Sequence, residues 1–334
     1  MNRPPARPKS TGPLGLAALL VAVATLVPLG CGGGDEPSSS VPGGSAAGTV
    51  DVEGSSTVFR ISDRAREGFA QVDPKVNVIV GKSGTGGGFN KYLAGEVDII
   101  DASRPAKPEE ETQAKSQGID WTRFLVGYDG IAVVVNKKND FVQELSVADL
   151  KRLFEPGSKV RTWKDLNPAW PDRKVILYTP DKDSGTFEYF TEAIVDKSRP
   201  KQQRDDVQAS SDDNTLVRGV SDDADAIGYF GYAYYSANAA TLRALPIKAK
   251  DDAPAVAPDP ETILKKTYTP LARPLYIYVK KKSMSRPAVE AFVRYYLKNI
   301  ESLATKAGYV SPTAEDRAAN EAALAAPAAG GPPA

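Results

Sequence analysis

The chain contains no histidine and only one cysteine, Cys31. The first absence removes the commonest general base and the commonest nitrogen ligand for a transition metal, and the second excludes an intramolecular disulfide or a thiolate cluster. Basic and acidic residues balance at 42 each, so no net field draws the chain to nucleic acid. Repeats at the ~20–50-residue period of solenoids are missing as well. What is present is 334 residues of globular composition, 41% hydrophobic and 25% charged, a length that supports a substantial core and about two domains.

An almost continuous apolar run, Leu14 to Leu29, follows Arg3, Arg7 and Lys9 and closes in Leu29-Gly30-Cys31-Gly32. Its shortness and Pro28 argue against a membrane span, and the order of parts is that of an exported precursor. The segment resembles a bacterial lipoprotein signal, with Pro28 where such signals usually carry Leu. On that resemblance residues 1–30 are the signal peptide and Cys31 is the acylated first residue of the mature protein. The protein would then sit in the periplasm or at the outer cell surface, held to a membrane by its lipid and without a free thiol. An ordinary cleaved signal and a retained anchor are the alternatives. Residues 31–50, rich in Gly, Ser and Pro, read as a flexible tether.

Three turns share one chemistry. Lys82-Ser83-Gly84-Thr85-Gly86-Gly87-Gly88-Phe89 follows the β-like run Val76 to Val80, and Asp183-Ser184-Gly185-Thr186-Phe187 follows Val175 to Tyr178. A third, Gly54-Ser55-Ser56-Thr57-Val58-Phe59, stands near the start of the mature domain. Glycine lets backbone approach closely, and hydroxyls with free N–H groups at a helix start form an anion cradle. Two such turns far apart in sequence suggest two lobes around one small ligand. The plainer reading is that Ser56 or Thr57 merely caps a helix.

Strands are expected at Thr49 to Thr57, Val76 to Val80, Val97 to Asp101, Gly130 to Val135, Val175 to Tyr178 and Ile227 to Gly231, with Trp121 to Val126 leading into one. Helical spacing is read through Val58, Ala65 and Phe69, then over Phe89 to Leu93, Leu145 to Phe154 behind Ser146, Glu188 to Val195 and Val289 to Ile300. Trp163, the Tyr232, Tyr234 and Tyr235 group and the Phe292, Tyr295 and Tyr296 stripe read as packing. Leu242 to Ile247 and Tyr276 to Val279 are expected to extend the sheet of the first lobe. The Ala- and Pro-rich stretch 313–334 reads as a low-complexity tail, disordered or weakly helical. Alternating strands and helices give an α/β layered fold.

The first cradle lacks the Lys-Ser or Lys-Thr of a nucleotide phosphate loop, since Phe89 and Asn90 follow its glycines. Without histidine, Ser184 could be activated as a nucleophile only by an unusual partner such as Lys182. Asp98 with Asp101, or Asp212 with Asp213, could bind metal, but solvated or capping roles fit them better, and no metal or cofactor is expected. Hydroxyls, amides and Arg104, in the rigid turn Ala102-Ser103-Arg104-Pro105, match a tetrahedral oxyanion.

In order and spacing, Gly-Ser-Ser-Thr-Val-Phe at 54–59, Ser-Gly-Thr-Gly-Gly-Gly-Phe at 83–89, Asp-Ala-Ser-Arg-Pro at 101–105 and Asp-Ser-Gly-Thr-Phe-Glu-Tyr-Phe at 183–190 resemble the phosphate-binding proteins of bacterial ABC importers. The resemblance spans about Val52 to Pro312. It implies a two-lobed periplasmic-binding-protein fold of type II, with residues 51–130 plus 236–312 as lobe one and 131–235 as lobe two. It implies a monomeric, non-enzymatic receptor that delivers inorganic phosphate to the transmembrane subunits of an ABC permease, with no nucleic acid involved. Sulfate, molybdate or organophosphate, and a sensor or adhesion role, are the alternatives. Carried over by position, Ser56, Thr57 and the Val58 amide, Ser83, Gly84 and Thr85, and Ser184, the Gly185 amide and Thr186 would hold the ion. Arg104 stands where the pattern has the aspartate that accepts a phosphate proton and helps reject sulfate, and Pro180 stands where it has an arginine. Arg104 is expected to replace the lost positive group.

Overall fold

The computed structural model describes residues 48–199 and 202–326. The leader, Cys31 and the tether as far as residue 47 lie outside the described residues. Gly48 to Val50, assigned above to the tether, already belong to the first strand.

In chain order the strands are β1 (Gly48–Gly54), β2 (Val76–Val80), β3 (Ile99–Ala102), β4 (Trp121–Asn136), β5 (Leu145–Ser146), β6 (Ile176–Pro180), β7 (Gln208–Ser210), β8 (Ala226–Gly231), β9 (Leu242–Ala244), β10 (Ile247–Lys248), β11 (Ala255–Val256) and β12 (Ala272–Lys280). Among the described residues, nine of them form one sheet in the order β2-β1-β3-β12-β4-β8-β6-β7, with β9 beside β4. β5, β10 and β11 make a small second sheet.

Among the described residues two large apolar cores sit along that large sheet, with two smaller clusters, around Val134 and Phe230 and around Phe89 and Tyr278, beside them. In the first, inward Val50 and Val52 of β1 meet Val58, Ile61, Ala65 and Phe69 on one stripe of the helix Ser56–Ala70. The helix Pro287–Lys298 closes this core with Phe292, Val293 and Tyr296. The second core is aromatic, with Trp163, Phe154, Phe190 and Tyr229 fully buried. Phe190 and Tyr229 stack there at 3.8 Å, inclined by 8°.

β4 joins the cores. Its first part, Trp121 to Gly130, runs antiparallel to β12, and Ile131 to Val135 then pair with β8. Two stretches read separately from the sequence are thus one strand of 16 residues. The chain passes from the first core to the second along β4 and returns at the start of β12, where Arg273 lies opposite Asp129.

Several expectations change. Leu242–Ala244 does not extend the first lobe: it pairs with Val134–Asn136 of β4, while Leu245 and Ile247 enter the second core. The stretch after Pro312 is not a loose tail as far as residue 326. Thr313 and Asp316 form a reciprocal capping box that starts a helix at Ala314–Ala325. Asn320 docks that helix by donating to the Leu125 carbonyl at 2.7 Å and accepting from the Leu125 N–H at 3.0 Å. Ala323 and Leu324 pack on the first core. The helix of the first cradle begins at Gly84 rather than Phe89, because Phe89, Tyr92 and Leu93 anchor its far end and make up for the poor propensity of its glycines.

Candidate anion-binding cleft

The three hydroxyl-bearing turns meet at one cleft of about 660 Å³ between the two cores. Ser55, Ser56 and Thr57 line it from the first turn, Ser83, Gly84 and Thr85 from the second, and Gly185 from the third. Val58, Ser184 and Thr186 flank it without lining it. The Val58 N–H goes to Ser55 Oγ at 3.4 Å, and Ser184 Oγ accepts the Thr186 N–H at 3.2 Å.

Each wall is fixed locally. Ser55, not Ser56 or Thr57, is the N-cap of its helix, accepting from the Thr57 and Val58 N–H groups. That leaves the Ser56 and Thr57 side chains for the cleft. The Ser55 N–H is held by the Asp101 carbonyl at 2.8 Å, so β3 sets the height of the turn. In the second turn Gly84 adopts φ +77°, a conformation that favours glycine. Ser83 makes no capping bond, and Thr85 Oγ1 accepts the Ser103 N–H at 3.1 Å.

The walls touch. Ser56 Oγ donates to Glu188 Oε2 at 3.0 Å, and Thr57 Oγ1 donates to the Gly185 carbonyl at 3.4 Å. Beside the cleft, Arg60 reaches across to Asp213 at 3.6 Å. Only glycine fits at 185, since a Cβ there would lie 2.6 Å from Thr57 Oγ1 and 2.7 Å from its nitrogen.

Among the described residues, four cations line the cleft: Arg104, Lys107, Lys197 and Arg273. Arg104 lines the cleft, but its guanidinium is bound two-pronged by Glu110, at 2.8 and 2.7 Å. Lys107 and Lys197 are exposed on the rim. Arg273 was not foreseen. It donates to Thr57 Oγ1 at 2.8 Å, approaches Asp129 Oδ2 at 3.4 Å and lies 3.5 Å over the Tyr189 ring. In the sequence its only signal is an arginine set just before an apolar strand, Leu271-Ala272-Arg273-Pro274-Leu275. Glu188, Tyr189 and Glu192 are further lining residues that the motif reading passed over.

Burial raises the Asp129 carboxyl above its ordinary range, with Arg273 and Arg60 opposing that rise. Asp101, behind the first turn, is fully buried, and desolvation pushes it up to about 8 against the hydrogen bond from Ser62. In the unfolded chain the same group ionises near ~4. The stability it contributes is complete below that value and is lost as pH rises toward about 8. Asp101→Asn is therefore expected to gain on the wild type by about 1 kcal/mol per pH unit across this window. Urea unfolding midpoints between about pH 5 and 8 read this directly. Parallel pH profiles for the two proteins would mean that Asp101 is already ionised at the lower end.

A single sheet bridging two cores, with a cleft walled by turns from both, is the architecture of a type II periplasmic binding protein. The family model of the PBP superfamily domain matches residues 39–299. The chain is 41% identical over 263 residues to Protein SphX of Synechococcus elongatus, covering 78% of this chain and 77% of that one. To the phosphate-binding protein PstS of Staphylococcus saprophyticus it is 38% identical over 288 residues, covering 86% of each. A solved structure described as a possible phosphate binding protein from Planctomyces limnophilus aligns with a TM-score of 0.81 at 42% identity, across 84% of this chain and 99% of that one. The chain belongs to the PBP superfamily, in the branch that holds SphX and PstS.

Proposed function

We propose that the cleft binds inorganic phosphate outside the cytoplasm and that the protein, acting as a monomeric receptor and not as an enzyme, hands it to an ABC-type permease. The observation that carries this reading is the convergence of hydroxyl turns from both lobes on one cleft that also holds a guanidinium. A tetrahedral anion placed there takes the Ser56, Thr57, Ser83 and Thr85 hydroxyls on one side and the Gly185 N–H on the other. The Val58 N–H, Ser184 and Thr186 support these groups from directly behind. Arg104 stands at the rim with its charge balanced by Glu110. The relatives named for phosphate binding support the choice of ion. Lipidation at Cys31 would tether the receptor beside its permease. In this reading lobe one is built on the first core and lobe two on the second, with Leu242 to Leu271 counted in lobe two.

Glu188 supplies the selectivity. A carboxylate facing an anion is repulsive unless the anion brings a proton, because ionised carboxylate oxygens only accept hydrogen bonds. Phosphate near neutral pH carries a P–OH group and sulfate carries none. With the Ser56 hydroxyl rotated from Glu188 to the ion, the freed Oε2 accepts that proton. Titration calorimetry of the wild type should show phosphate bound and sulfate rejected. Glu188→Gln should lower the ratio of phosphate to sulfate affinity by about tenfold or more. A ratio unchanged in the variant would remove Glu188 from this role, and a wild type indifferent to phosphate would remove the reading itself.

A further inference from the structure

Arg273 and Asp129 face one another on the two strands by which the chain crosses between its cores. Each keeps a polar atom that nothing among the described residues satisfies: Arg273 Nε and Asp129 Oδ1 are both buried without a hydrogen-bond partner there. The Asp129 side chain is 1% exposed and that of Arg273 is 13% exposed. Buried charged groups with open hydrogen-bonding capacity are costly and call for a completing partner, such as an ordered water, an ion or a ligand.

Comparison with the other lining cations isolates Arg273. Arg104 has both of its forward nitrogens on Glu110, and Lys107 and Lys197 stand in solvent, where screening weakens them. Among the described residues, Arg273 alone combines depth, contact with a cleft hydroxyl and an unfilled N–H donor. Its orientation is over-determined. Thr57 of the first turn receives one N–H, Asp129 stands beside the same nitrogen, and the Tyr189 ring supports the guanidinium face. The ring is itself pinned by its hydroxyl, which donates to the Pro270 carbonyl at 2.6 Å.

We infer that Arg273 is the residue that anchors the oxyanion and that Asp129 is its positioning residue, holding the guanidinium with its free donor edge toward the ligand. This rests on the phosphate reading above. The pair divides the work by distance: Arg273 lines the cleft, whereas Asp129 is not a lining residue and acts only through the arginine. Removing the arginine should therefore abolish most of the affinity, and removing the carboxylate should matter only while the arginine is there.

The test is calorimetric titration of inorganic phosphate into the full-length wild type, Arg273→Gln, Arg273→Lys, Asp129→Asn and the Asp129→Asn/Arg273→Gln double variant, each checked by urea unfolding. Arg273→Gln is expected to lose about 100-fold in affinity, and Asp129→Asn about tenfold. In the double variant the second substitution should add nothing to the first, a coupling that a merely structural aspartate would not show. If Arg273→Gln fails to fold, Arg273→Lys decides the matter, because it keeps the charge and loses the planar fork. A loss of about tenfold or more in that variant supports the anchor, and a smaller one overturns it. Additive losses in the double variant overturn the role of Asp129. A wild type that does not bind phosphate defeats the functional reading and this inference together, while a wild type that binds with Arg273→Gln unaffected defeats the inference alone.

Discussion

Gly185→Ala should cost the protein phosphate affinity by about 100-fold or more while leaving its unfolding free energy within about 1 kcal/mol of the wild type. The added methyl group would sit 2.6 Å from Thr57 Oγ1, 2.7 Å from Thr57 N and 2.9 Å from Thr57 Cα. A flexible side chain could turn away, but two of these atoms belong to backbone in the first turn of a helix whose inner stripe is packed in the core. Relief must come from moving the third turn away from the first. That movement draws Glu188 and the Gly185 N–H away from Ser56 and Thr57, so that the two walls no longer reach one ion. Gly185 itself belongs to neither core, so the fold persists. Calorimetry paired with urea unfolding separates the two effects, and wild-type affinity in the variant would mean that the turns need not meet for binding.

Asn320→Ala is expected to lower the unfolding free energy by about 2–4 kcal/mol. The amide satisfies both the N–H and the carbonyl of Leu125, next to the place where the β4–β12 register shifts. Truncation to alanine leaves two backbone groups unpaired under a helix, and each such group carries a desolvation penalty. It also loosens the helix that places Asp316 at 3.0 Å from the Tyr128 hydroxyl. The midpoint of urea unfolding measures this, and an unchanged midpoint would show that solvent replaces the amide.

What could be read from the sequence was whatever depended on near neighbours. The Ser-Gly-Thr turns carry their chemistry within three or four residues, and the Val58, Ala65 and Phe69 stripe declares its helix by spacing alone. Arg273 could not be read in the same way. Its partners Thr57, Asp129 and Tyr189 are distant in the chain, and only the β4–β12 register brings it into the cleft. Glu188 looked like the opening of an aromatic helix because its partner, Ser56 Oγ, comes from the opposite wall. The terminal helix was hidden for another reason. Its Ala-rich composition resembles low complexity, and the difference lies in Thr313, Asp316 and Asn320, whose caps and docking bonds hardly alter the composition. Leu242–Ala244 was misplaced because a short apolar run carries no mark of which strand it will join.

The crossing of β4 from one core to the other has a mechanical meaning. At the crossing the strand is bonded throughout: Asp129 and Gly130 pair with β12, Tyr128 bridges to Val310, and Ile131 onward pairs with β8. Among the described residues, β4 therefore carries no slack joint of unpaired backbone at this crossing. Any rocking of one lobe against the other must then wind or unwind a hydrogen-bonded ribbon, which resists like a torsion spring and returns when released. Such a spring favours small, fast excursions over wide gaping. It also makes its stiffness a property of residues well away from the cleft, so that a substitution along β4 can retune affinity without touching the ion.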